Sequence, residues 1–190
     1  MVTSSLSMSN ANRLLFMVPI GLGSGALVRV GNCLGSGNQP NRAKVAAYAS
    51  LISATCTGIF NCSFCFAVRN VWSYAWNNDP EVATMTALIL PCVAIFQVSD
   101  GLNAICVSLL RALGRPLVSA FANVVAYYVV GIPIGLVLAF KAQLGLYGMW
   151  IGLAVGLMSV SCFLVPFILF ATNWEKESMR AKDRWVISNE

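Results

Sequence analysis

Val45-Ala-Ala-Tyr-Ala-Ser-Leu-Ile-Ser-Ala-Thr-Cys-Thr-Gly-Ile-Phe-Asn-Cys-Ser-Phe-Cys-Phe-Ala-Val68 runs without a single charged side chain. As an α-helix at about 1.5 Å per residue, this stretch exceeds the roughly 30 Å of a bilayer's hydrocarbon core. Four more apolar segments flank it, at Leu14–Leu34, Val82–Leu110, Leu117–Phe140 and Leu144–Thr172. The composition agrees: 58% of the 190 residues are hydrophobic, 10% are charged, and the mean hydropathy is +0.75. Soluble domains carry roughly 25% charged residues, so this chain cannot cover itself with a polar surface. Disordered chains are apolar-poor and charge-rich, and that class is excluded as well. The expectation is an all-α integral membrane protein: a bundle of five transmembrane helices over residues 1–172, then a charged tail over 173–190. The length leaves no room for a separate soluble domain.

Turn chemistry separates the segments. Gly35 to Asn41 is rich in Gly, Asn and Pro. Asn77-Asn-Asp-Pro80 reads as an N-cap followed by Pro at the first helical position. The short link Arg111 to Pro116 also ends in Pro. With alternating spans, the first such turn, that link and the tail share one side. They hold Arg42, Lys44, Arg111, Arg115, Lys176, Arg180, Lys182 and Arg184, against Arg13, Arg69 and Lys141 opposite. Basic residues collect on the cytoplasmic side, so the tail is expected inside. Trp72, Tyr74, Trp76, Tyr147 and Trp150 then fall near the outer interface and Trp174 near the inner one. The N-terminal residues lack the basic region of a signal peptide.

Several chemistries are excluded. Histidine is absent, which removes His-based triads, metal ligands and proton relays. Cys62 and Cys65 form a C-x-x-C, but inside an apolar helix with no βαβ context, where cysteine acts as a small hydrophobe. Gly21-Leu-Gly-Ser-Gly-Ala26 has no strand before it, so it is no dinucleotide loop. No P-loop is present. The net charge of +5 belongs to loops of a membrane protein and is no nucleic-acid footprint. The reading is a non-enzyme with no metal, no cofactor and no nucleic-acid partner.

Small residues recur at four-residue spacing, as Gly21/Gly25, Gly31/Gly35, Gly131/Gly135 and Gly148/Gly152/Gly156. In lipid such stripes let helix backbones approach, and tight bundle packing is the expectation for all of them. Pro19, Pro91, Pro133 and Pro166 lie in or near spans and bend helices, as transporters require.

Asp100 is the strongest chemical signal. A charged side chain at mid-bilayer costs roughly 2.5–3.5 kcal/mol on insertion scales and marks a functional site by default. Gln97 and Asn103 stand three residues to either side, on one face of the helix. In the next segment Ser119, Asn123, Tyr127 and Gly131 form a second stripe at four-residue spacing. If the two faces meet, they enclose a wet pocket with one acid, amides and a phenol. A proton could exchange there against a cation. Pairing with Arg111 is the bland alternative, but eleven residues of helix separate the two by about 16 Å. Arg29, the other charge within a span, reads as a guanidinium snorkelling to the interface, with a gating or binding role as the alternative.

These residues carry a resemblance. Val28-Arg-Val-Gly-Asn-Cys-Leu-Gly-Ser-Gly-Asn38, Asn77-Asn-Asp-Pro-Glu-Val82, Asp100-Gly-Leu-Asn-Ala104 with Leu110-Arg-Ala-Leu-Gly114, Asn123-Val-Val-Ala-Tyr-Tyr-Val-Val-Gly-Ile-Pro-Ile-Gly135, Gly145-Leu-Tyr-Gly-Met-Trp-Ile-Gly152 and Asn173-Trp174 resemble, in order, segments of the multidrug and toxic compound extrusion (MATE) family. The resemblance covers almost the whole chain and implies helices eight to twelve of a twelve-helix, two-lobed fold, most of one lobe. It implies an antiporter in the plasma membrane or a vacuolar or other endomembrane, exchanging H⁺ or Na⁺ for small organic cations, xenobiotics or metabolites. Asp100 is then the acid of the cation or substrate site; the placing of Gln97, Asn103, Asn123 and Tyr127 along the same cavity rests on helical spacing and not on the resemblance. It also implies a need for the N-terminal lobe as partner, alongside membrane lipid. The alternative is a truncated, non-transporting membrane module that associates with a partner.

Overall fold

Proline opens three of the long helices. α2 spans Pro40–Val68, α3 spans Pro80–Ala112 and α4 spans Pro116–Val125. The ring presets a helical φ, and the missing N–H is one that no helix start could satisfy internally. The structure, a computed structural model, describes residues 2–36, 39–68 and 80–187, and side chains within 17–36, 39–68 and 94–182. α1 spans Val2–Gly35 and begins well before the expected Leu14. Ser and Asn cost a growing helix only a few tenths of a kcal/mol each, so the polar leader extends the helix instead of breaking it. Trp72, Tyr74, Trp76, Arg69 and Asn77 to Asp79, with their expected interface and cap roles, lie outside the described residues, as do the side chains of Arg13, Cys92 and Arg184.

After α4 the rod continues as one unbroken span with two wide turns. A π-helical turn covers Ala126–Gly131, α5 covers Ile132–Leu136, and a second π turn covers Val137–Lys141. Pro133 explains the first of these. Its ring crowds the carbonyl four residues earlier, and the turn before it opens until the N–H of Ile132 reaches the carbonyl of Tyr127, five residues back. α6 spans Leu146–Pro166 and runs into a third π turn at Phe167–Ala171. α3 ends in a Schellman motif: Gly114 takes φ 70°, its N–H bonds the Arg111 carbonyl at 2.9 Å, and the Arg115 N–H bonds the Leu110 carbonyl at 2.8 Å. Only glycine adopts that left-handed backbone without a steric penalty.

Met17–Gly35, Pro40–Val68, Pro116–Lys141 and Leu146–Ala171 are each long and apolar enough to cross a membrane. α3 is the fifth rod, 33 residues long. Its described stretch carries Gln97, Asp100, Asn103 and Arg111, and it lies against α1, α2, α4 and α6 at the centre of the bundle. The all-α membrane fold expected from the sequence is what forms. Val30, Leu34, Ala47, Leu109, Leu164 and Ile168 belong to one buried core. Meanwhile Leu117, Phe121 and Phe170 stand 81%, 72% and 86% exposed. Large apolar side chains turned outward in such numbers face hydrocarbon, not water.

The tail departs from a simple charged extension. Trp174–Ile187 forms an amphipathic helix, α7, that packs on α1 and α2. Trp174, Glu177 and Ser178 are buried side chains of this helix. Glu177 accepts hydrogen bonds from the guanidinium of Arg115, at 2.6 Å, and from that of Arg180, at 3.0 Å. The helix is thereby pinned to the link between α3 and α4.

Candidate functional site

α3 supplies the acid. Asp100 sits in mid-helix, half-buried, one residue from a close contact that fixes the helix in the bundle. A Cβ on neighbouring Gly101 would stand 3.6 Å from the ring of Pro19 on α1. One turn earlier, a Cβ on Gly58 of α2 would come within 2.9 Å of the Val98 Cα, so α2 and α3 touch at backbone distance. On the far side, the Ser161 hydroxyl of α6 donates to the Ser99 carbonyl at 3.0 Å. Helices on three sides thus hold the register of the residues around Asp100.

The sequence-predicted residues divide as follows. Gln97 is fully buried and Asn103 is 9% exposed. The Asn103 amide donates to the Asn123 side-chain oxygen at 3.0 Å, and the Asn123 amide donates to the Ser119 carbonyl at 2.7 Å. This chain of amides joins α3 to α4, so the two polar faces do meet. Hydrogen bonds across membrane helices contribute roughly 0.6 kcal/mol on average and up to about 1.7, so this link orients the faces more than it stabilises them. Tyr127 is half-buried on the π turn that continues α4. Among the described residues no basic group forms an ion pair with Asp100, and Arg111 is exposed.

Two features differ from the expected stripe. Gly131 leaves the polar face: a Cβ there would stand 3.2 Å from the Gly152 carbonyl of α6, so this glycine belongs to a packing seam. The π turn is the cause. It starts one residue before Tyr127 and breaks the four-residue register that the sequence spacing presupposes. The Ser119 hydroxyl bonds locally to the Pro116 carbonyl at 2.8 Å, and only its carbonyl serves the amide chain. Pro133 was the signal for that wide turn, since a proline in a span must disturb the turn before it.

Chemically the arrangement offers one carboxyl (Asp100), three side-chain amides (Gln97, Asn103 and Asn123) and a phenol (Tyr127) on adjoining helices within the membrane span. Such a set can hold a proton or a small cation at the carboxyl and present hydrogen-bond partners to a polar ligand. Among the described residues no group of three or more His, Cys, Asp or Glu could hold a metal ion. Cys62 and Cys65 are free thiols. A separate groove of about 770 Å³ lies between α1 and α2, with Arg29 and Arg42 in its lining and Asp100 not among them.

Comparison with known proteins gives a consistent picture. The MatE family model matches residues 3–137. Protein DETOXIFICATION 17 of Arabidopsis thaliana is 34% identical over 183 residues, covering 96% of this chain and 38% of that protein. Multidrug and toxin extrusion protein 2 of Mus musculus is 34% identical over 169 residues, 89% of this chain and 29% of that protein. Among solved structures, the crystal structure of the eukaryotic MATE transporter AtDTX14 matches with a TM-score of 0.89 and 31% identity, over 96% of this chain and 40% of that one. The chain therefore spans less than half the length of the relatives it matches.

Proposed function

The chain belongs to the MatE family of membrane transporters, and from that premise we propose that it forms the ion- and substrate-binding half of a secondary antiporter, with Asp100 as the coupling acid. The observation that carries this reading is Asp100 itself, a carboxyl in the middle of a spanning helix with no basic partner among the described residues. An ionised carboxylate inside a bilayer is costly unless something neutralises it. A proton can do so, and so can Na⁺ or the cationic centre of an organic substrate, but each displaces the other. Binding of the organic cation releases the proton, and reprotonation releases the cation. That competition at one group is the chemical basis of antiport.

The remaining residues have positioning and recognition roles. The Asn103–Asn123 bond holds the α4 face against α3, and Gln97 and Tyr127 supply the polar wall of the pocket. Alternating access requires two half-bundles that rock about a site near the midplane. This bundle supplies one half, and a second six-helix lobe is the partner that completes transport. Membrane lipid forms its surroundings.

Purified chain mixed with an organic cation such as ethidium in weakly buffered detergent solution tests the coupling directly. Wild type should release protons as the cation binds, and Asp100→Asn should bind without release or fail to bind. Undiminished proton release in Asp100→Asn would overturn the assignment.

A further inference from the structure

The groove between α1 and α2 is polar and basic at one end and apolar along the rest. Arg29, Arg42, Gln39 and Asn41 line its basic end. Arg29 and Arg42 are both exposed, and among the described residues neither forms an ion pair with an acid. The N-terminus of α2, a helix of 29 residues beginning at Pro40, adds its partial positive charge at the same place. Below the arginines the serines of the lining are polar in name only: the Ser50 and Ser53 hydroxyls donate to their own helix, to the carbonyls of Ala46 and Ala49, both at 2.8 Å. Gly21 and Gly25 complete the wall, with no atom within 4 Å of where a Cβ would stand on either. What remains is a slot open to the side, cationic at the top and greasy below.

Its length identifies the occupant. From Arg42 to Ser53 the groove follows α2 for about 16 Å at 1.5 Å per residue, close to half of the roughly 30 Å hydrocarbon core. A ligand that fits is one leaflet deep, anionic at one end and apolar along its length. We propose that this groove is a binding site for an anionic phospholipid, its phosphate held between Arg29 and Arg42 and one acyl chain laid along Gly21, Gly25, Val45 and Ala49. The basic end shares a side with Arg111, Arg115 and α7, so the charge-derived orientation puts it in the cytoplasmic leaflet, where anionic lipids reside. Basic pockets between transmembrane helices on that side bind anionic headgroups by the same electrostatics. The site is independent of Asp100 and gives Arg29 a role beyond snorkelling.

The test is lipid retention by the full chain in detergent, read by native mass spectrometry against equimolar phosphatidylserine and phosphatidylcholine. Wild type should retain phosphatidylserine with a preference on the order of tenfold, as two basic residues near an anionic headgroup allow. Arg29→Gln with Arg42→Gln should abolish the preference. Ala49→Trp, which fills the slot without changing charge, should reduce retention of both lipids. Asp100→Asn should leave retention unchanged, which separates this result from the fate of the transport reading. Equal retention of the two lipids by wild type, a preference that survives in the double arginine variant, or inorganic phosphate competing as well as phosphatidylserine would each overturn the proposal.

Discussion

Two sets of glycines at the same four-residue spacing have opposite fates in this molecule. Along α6, Gly148, Gly152 and Gly156 press against the backbone of the α4–α5 rod. A Cβ on Gly148 would stand 2.6 Å from the Ala139 nitrogen, and one on Gly152 would stand 2.7 Å from the Gly131 carbonyl and closer still to Gly135. Along α1, Gly21, Gly25, Gly31 and Gly35 have nothing within 4 Å of the equivalent position. The expectation that every small-residue stripe packs against another helix of the bundle holds for the first set and not for the second within the described residues. Spacing creates a smooth surface on a helix. It does not say what lies on that surface: another backbone in one case, open space in the other, with Gly21 and Gly25 on the wall of a groove.

The contrast can be broken by substitution. Gly152→Ala should be the most damaging change, because backbone on the partner rod cannot move aside as a flexible side chain would. A loss of about 3 kcal/mol, at the upper end of ordinary overpacking, should appear as a large fall in the thermal unfolding midpoint in detergent. A fall no larger than that of an exposed control would show that the seam is looser than its geometry. Glu177→Ala tests whether α7 is a fixed part of the bundle. Arg115 and Arg180 are each partly exposed and only Glu177 is buried, so the loss is about 1–2 kcal/mol, between the ranges for surface and buried pairs. It should register as faster limited proteolysis at α7 with the spans intact. Gly25→Ala should have the smallest effect and the opposite sign, a gain of about 0.5 kcal/mol from the better helix former. A loss approaching that of Gly152→Ala would mean that the α1 face is already packed.

Much of this was legible in the residues. The uncharged run 45–68 and Pro80 at a first helical position locate rods, because each depends on local backbone chemistry. Pro40, by contrast, reads as part of the turn Gly35 to Asn41 and yet opens α2, five residues before the expected Val45, and Gly114 closes α3 through a cap that only the backbone shows. Asp100 stood out because a carboxyl in an apolar segment is expensive wherever the helix packs. Stripe arithmetic put Asn103 and Asn123 on two polar faces without deciding that the faces meet, and it misplaced Gly131, since a π turn breaks the arithmetic. The folding of the tail into α7 was hidden for a different reason. Its charges read as solvent-seeking, while Glu177 is buried by partners, one of them 62 residues away at Arg115.

The sequence by itself determined that this is a helical membrane bundle with a lone acid in its span, because hydrocarbon length, backbone hydrogen bonding and the cost of charge in lipid act on any chain of this composition. Only the tertiary structure decided which faces touch. Contact between helices depends on backbone separation and register summed over whole rods, and one wide turn or one unpartnered helix face changes it without altering any local preference.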